Sequence, residues 1–114
     1  MIPRVYFYGA TGPQTGPQPP VQLDPLTNTF SVTVAVWFDV NAGGCTYGVE
    51  YTLDDINQSD QSQVVWWPDP NLPPGTTVPG VTYYNNPVWA VRLNMDNMIS
   101  PGVRFYILQA MSPR

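Results

Sequence analysis

Histidine and lysine are both missing from this chain, cysteine occurs once, and only 11% of the residues carry charge. Each shortage removes a class of function. Without histidine, no side chain has an ordinary pKa near neutrality for moving protons, and no imidazole is present to bind zinc, copper or iron. Most hydrolase and metalloenzyme designs are excluded on that ground, and no cofactor is expected. The lone Cys45 has no internal disulfide partner and no histidine to activate it, so it reads as a small buried or half-buried side chain. Arg4, Arg92, Arg104 and Arg114 are the only cationic side chains, and with eight acids they leave a net charge of −4. That balance argues against a nucleic-acid partner. No apolar run approaches the ~20 residues needed to span a bilayer. The opening Met-Ile-Pro-Arg lacks the basic and apolar regions of a secretory signal, so synthesis in a cytoplasm without a membrane partner is expected.

An ordinary soluble domain carries about 25% charged residues. A surface this poor in charge must be covered by Thr, Ser, Asn, Gln, Pro and aromatic groups, which suits a chain later covered by other subunits.

Proline and alternation are what the chain has in abundance. Of fourteen prolines, five lie between Pro13 and Pro25 and six between Pro68 and Pro87. Proline inside a helix costs about 3 kcal/mol, and no stretch shows a sustained i, i+3, i+4 apolar stripe. With 114 residues, one all-β domain with a sizeable core is expected. Its strands number about seven or eight, in an antiparallel β-sandwich of jelly-roll type. Residues 1–29 read as a strand at positions 5–8 followed by a Pro/Gly/Gln-rich arm with a short edge strand at 21–23, and residues 30–114 as the sandwich.

Two hairpins are expected. In residues 30–38, Phe30, Val32, Val34, Val36 and Phe38 alternate with Ser31, Thr33, Ala35 and Trp37. After a turn at 41–44, Tyr47, Val49, Tyr51 and Leu53 point inward on the return strand. The second covers residues 87–110. Here Val91, Leu93, Met95, Val103, Phe105 and Ile107 share a buried face, and Ser100-Pro101-Gly102-Val103 closes the turn. The register that makes every core pair apolar sets Met95 against Val103, Leu93 against Phe105 and Val91 against Ile107. The same register leaves Arg92, Asn94, Arg104 and Tyr106 on the spare face.

Candidate sites are few. Asp54, Asp55 and Asp60 crowd oxygen ligands into one loop, but on the EF-hand template Asp60 replaces the turn glycine and Trp66 the bidentate glutamate, so a solvated loop is expected. Glu50 with one of these aspartates could be paired as glycosidase carboxylates, but Glu50 lies on an outward strand position without an evident pocket. Trp37, Trp66, Trp67, Trp89, Tyr83 and Tyr84 could form a sugar-stacking platform. Adjacent pairs such as Trp66-Trp67 place one ring on each side of a strand, however, so half of them read as core. Exposed Trp, Tyr and Arg serve an assembly interface equally well. The partner-binding candidates are therefore Arg92, Arg104, Tyr106 and Trp37, together with Met98 and Ile99 at the expected hairpin tip.

Residues 87–94 (PVWAVRLN) and 102–109 (GVRFYILQ), with residues 47–55 (YGVEYTLDD) before Trp66 and Trp67, resemble small virion proteins encoded near the head genes of tailed bacteriophages. The resemblance covers about residues 30–110, rests on strand patterns and carries over no functional residues; residues 1–29 depart from it. It implies a β-sandwich or jelly-roll protein on the capsid exterior that decorates or cements the head. The partners implied are the major capsid protein and further copies of itself, as a trimer by preference. The alternative is a carbohydrate-binding or host-recognition module of a fibre or tail protein.

Overall fold

The computed structural model describes residues 2–9, 16–26, 30–57, 60–98 and 102–109, with residues 2–9, 42, 97 and 98 described through their backbone. The described residues form nine strands, two short 3-10 turns and no α-helix. No helix among them is long and apolar enough to cross a membrane.

The strands are β1 (Ile2–Gly9), β2 (Gly16–Pro17), β3 (Val21–Gln22), β4 (Val32–Trp37), β5 (Cys45–Thr52), β6 (Trp66–Pro68), β7 (Gly80–Tyr84), β8 (Ala90–Met98) and β9 (Gly102–Gln109). They make two antiparallel sheets. The first runs β1-β9-β4-β7; the second runs β2-β8-β5-β6, with β3 also paired to β8.

Alternation decides which side chains are buried. Val32, Val34 and Val36 of β4 and Val103, Phe105 and Ile107 of β9 enter from the first sheet. Tyr47 and Val49 of β5 and Val91, Leu93 and Met95 of β8 enter from the second, and all belong to one core cluster. Each such burial is worth about 1.5–3 kcal/mol before the entropy of ordering is subtracted. Leu53, expected to point inward, lies past the end of β5 and is exposed.

The expected hairpins do not form. β8 and β9 lie in different sheets: Val91, Leu93 and Met95 are flanked by Tyr51, Val49 and Tyr47 of β5, whereas Phe105 and Ile107 are flanked by Val36 and Val34 of β4. β4 and β5 are likewise in separate sheets. The physical reason is that period-2 alternation fixes which face is buried but not which strand lies alongside. Two consecutive apolar faces are covered as well by facing each other across a core as by sharing a sheet. The β4–β5 link shows how the chain crosses. Asp39 accepts the Asn41 N–H at 2.9 Å, starting the 3-10 turn Val40–Ala42. Gly43 (φ 115°) and Gly44 (φ 79°) then carry two consecutive left-handed residues that other side chains resist.

The first 29 residues contribute three strands. β1 pairs with β9 from Ile2↔Gln109 to Gly9↔Gly102, and β2 and β3 pair with β8. Val21 and Leu23 reach the core. The buried Gln109 amide then acts as a surrogate strand: its Nε2 donates to the Asp24 carbonyl at 2.8 Å, and its Oε1 accepts the Asp24 N–H at 3.0 Å.

The proline-rich segment after β6 covers the free edge of β5. Asp69 N–H donates to Val49 O, Val49 N–H to Leu72 O, and Tyr47 and Thr76 exchange both backbone bonds at 3.0 Å. Close approach is possible because residue 48 is glycine. A Cβ there would lie 2.9 Å from both Cα and N of Pro74.

Candidate interaction surface

Among the residues whose side chains are described, the outward ones of the first sheet are Thr33, Ala35 and Trp37 on β4, Val81 and Tyr83 on β7, and Arg104, Tyr106 and Leu108 on β9. Register aligns them in rows: Tyr83–Thr33–Leu108, Val81–Ala35–Tyr106 and Trp37–Arg104. Trp37 is 49%, Val81 47% and Tyr83 64% exposed. A shallow depression of about 350 Å³ lies among Ala35, Trp37, Pro79, Val81 and Tyr106. The only charge in these rows is Arg104, whose guanidinium sits 5.6 Å from the Trp37 ring centroid and whose Nη1 donates to the Tyr106 hydroxyl oxygen at 3.4 Å. Such an exposed cation–π contact contributes about 0.5–1 kcal/mol. Arg104 has no carboxylate partner among the described residues.

Of the partner-binding candidates, Trp37, Arg104 and Tyr106 lie side by side, and Arg92 is not among them. It lies on the second sheet directly opposite Glu50. Its Nε donates to Glu50 Oε1 at 2.7 Å, and its guanidinium stacks 4.2 Å from the Trp66 ring centroid. Arg92 is thus already paired within the chain, which also accounts for Glu50. Because Trp66 is covered by Arg92 and lies on the opposite sheet from Trp37, the two do not share a stacking platform. Met98 joins the β8–β5 ladder through its backbone; its side chain and all of Ile99 lie outside the described residues.

Sequence reasoning missed Val81, and named Tyr83 only among the rings of a sugar-stacking platform. Their signal was the inverted alternation of β7, where Thr82 and Tyr84 point inward. That inversion follows from Asp69, which is 1% exposed. Its carboxylate accepts N–H groups from Asn71 at 2.7 Å and Leu72 at 3.0 Å, and hydroxyls from Thr82 at 3.0 Å and from Tyr84. Burial, reinforced by the bond to Asp69, holds the Tyr84 phenol well above its ordinary pKa. Beside this cluster a cleft of about 310 Å³ opens, lined by Tyr51, Leu53, Asn71, Tyr83, Asn85 and Asn86.

The remaining acids of the polar loop organise backbone. Asp54 accepts Val65 N–H at 2.8 Å and Asp55 accepts Asn57 N–H at 2.9 Å. Asp60 accepts both the Ser62 N–H and hydroxyl, which hold its carboxyl below the usual value. The Asp55 and Asp60 contacts are Asx-type turns, whereas Asp54 ties the two ends of the loop together across eleven residues. Among the described residues, no three His, Cys, Asp or Glu side chains converge on a point.

Cys45 is buried, and its surroundings oppose ionisation. Desolvation, with the Asp96 charge adding to it, pushes the thiol up to about 11. Tyr47, fully buried and donating to Val78 O at 2.8 Å, is pushed up to about 12 by desolvation and then by Cys45. Two outcomes are expected. Thiol reagents should modify native Cys45 far more slowly at neutral pH than the same residue in urea; equal rates would contradict its burial. Between about pH 9 and 12 the folded chain holds more protons on these two groups than the unfolded chain does. Stability therefore falls as pH rises through that window, and below it the two groups contribute no pH dependence. Urea midpoints measured across the window should fall, and a flat profile would refute the assignment.

Comparison with protein-family models, curated proteins and solved structures finds no significant match.

Proposed function

We propose that this chain is a structural protein of a tailed-bacteriophage particle, decorating or cementing the head by docking on the major capsid protein. We further propose that its two sheets form a β-sandwich with jelly-roll connectivity. With β2 and β3 taken as one position, strands pair from the outside of the sequence inward: β1 with β9, β2/β3 with β8, β4 with β7, and β5 with β6. This is the pattern of one long hairpin rolled up, a scaffold common to viral capsid and lectin domains. Connectivity supplies analogy alone, since one scaffold hosts many functions.

The observation that carries the reading is the outer face of the first sheet. Three large exposed side chains, Trp37, Val81 and Tyr83, stand beside a single cation. Aromatic groups with arginine are the composition enriched in protein interfaces. Arg104, which has no carboxylate partner among the described residues, is proposed to pair with one on the lattice.

The experiment is mass spectrometry of purified particles, followed by binding of variants to empty heads. The chain should be present at a copy number near that of the major capsid protein. Val81→Asp and Trp37→Ala should keep the wild-type unfolding midpoint and lose at least about tenfold in affinity, or about 1.4 kcal/mol. Absence from particles, or unaltered binding by both variants, would overturn the reading.

A further inference from the structure

We propose that the cleft beside β7 is a binding site for a neutral saccharide, adjoining the docking face and sharing only Tyr83 with the residues named for it. The cleft, about 310 Å³, falls at the lower end of the roughly 300–1,000 Å³ range of small-molecule sites.

Its chemistry selects the ligand class. Tyr83 and Tyr51 supply ring surface, the first mostly exposed and the second half-buried. Apolar C–H faces of a sugar ring match such surfaces. Around them stand three amides. Asn71 donates through Nδ2 to Thr82 at 3.2 Å, which leaves its Oδ1 as a free acceptor. The side-chain amides of Asn85 and Asn86 make no hydrogen bond with the described residues, and neither do the hydroxyls of Tyr51 and Tyr83. An amide both donates and accepts, so a ring of amides and phenols fits a ligand whose hydroxyls do the same.

Charge narrows the class further. The sole ionisable acid in the lining, Asp69, has its oxygens taken by four donors from the chain itself. No arginine lines the cleft. Nothing there neutralises a phosphate, a sulfate or a sugar carboxylate, and nothing charged is free to hold a cationic amine. An uncharged polyhydroxylated ring is the chemistry that remains.

The position is also built. Asp69 ties the start of the proline-rich segment to the inward residues of β7, which fixes Asn71 relative to Tyr83. Tyr51 is held by a tilted ring contact with Tyr84, centroids 5.6 Å apart. The Asn71 and Tyr51 walls are thus held before a ligand arrives, which lowers the ordering cost on that side of the cleft.

The test is titration of the full isotopically labelled chain with neutral oligosaccharides of glucose, galactose, mannose and N-acetylglucosamine, with sialyllactose as the charged counterpart. At least one neutral sugar at millimolar concentration should shift the side-chain amide signals of Asn85 and Asn86 and the backbone signals of residues 82–86. Tyr83→Ala, an exposed position, should weaken that binding at least about tenfold while leaving the unfolding midpoint in place. Asn85→Ala with Asn86→Ala should weaken it as well. Trp37→Ala and Val81→Asp should bind the sugar normally, which separates this site from the docking face. Silence with every neutral sugar, a response to sialyllactose alone, shifts mapping to Trp37 or Trp66, or undiminished binding by both cleft variants would each overturn the proposal.

Discussion

Replacing Asp69 with alanine is expected to lower the stability of the protein by about 3–5 kcal/mol, because a single buried carboxylate satisfies four donors at once. The Asn71 and Leu72 N–H groups and the Thr82 and Tyr84 hydroxyls would all lose their acceptor. Donors left unsatisfied in a buried site cost about 1–3 kcal/mol each, although the sum is not additive. A typical domain has only about 5–15 kcal/mol in total, so the variant should be partly unfolded near body temperature. Asp69→Asn keeps the shape and two acceptor lone pairs, and should cost distinctly less. Urea denaturation of the two variants checks this directly; similar midpoints for wild type and Asp69→Ala would show that the cluster contributes little. A second readout is phenolate absorbance. With the carboxylate gone, the Tyr84 phenol should ionise at lower pH than in the wild type, since one cause of its raised pKa has been removed.

Gly48→Val is the other substitution with a large expected effect, of about 3 kcal/mol. The clash is with main-chain atoms of Pro74, 2.9 Å from the added Cβ, and a proline backbone has little freedom to move aside. The segment from Asp69 to Thr76 would have to lift off β5, breaking the bonds that Val49 and Tyr47 make with Leu72 and Thr76. Hydrogen exchange should show the amides of Tyr47, Val49 and Thr76 losing protection together, with β9 changing least. Contrast Gly80: a Cβ there meets the methyl end of Leu72, which can rotate away, so Gly80→Ala should be milder. If Gly48→Val retains the wild-type midpoint, the tight seating of this segment is refuted.

Burial was legible in the sequence, and adjacency was not. The alternation of Val32, Val34 and Val36, or of Val103, Phe105 and Ile107, named the core because period 2 is a local property of a strand. Lateral neighbours depend on how distant strands share a sheet, so Phe105 meets Val36 rather than Leu93. Trp37, Arg104 and Tyr106 could be nominated one by one, since outward aromatic and arginine positions are visible locally. That Arg104 would sit beside Trp37 while Arg92 would be held by Glu50 required the pairing. Residues 71–80 are rich in proline and glycine, which locally signals only a loop. Their role in covering β5 rests on tertiary backbone bonds that leave no periodic trace. Asp69 passed unnoticed for the same reason: its partners lie on β7, and one inward threonine is a weak cue by itself.

The nested pairing of strands also sets a timetable. β9 lies between β1 and β4, and β8 between β2/β3 and β5, so the central strand of each sheet is the last of its neighbours to be synthesised. While residues 90–109 are still within or near the ribosome, β4 with β7 and β5 with β6 are the pairings within reach, and β1 waits with both edges open. Closing β1 onto β9 joins segments roughly a hundred residues apart, the costliest loop in the molecule and the last to be rewarded. Each sheet is therefore expected to be finished by insertion down its middle, once its central strand has been translated.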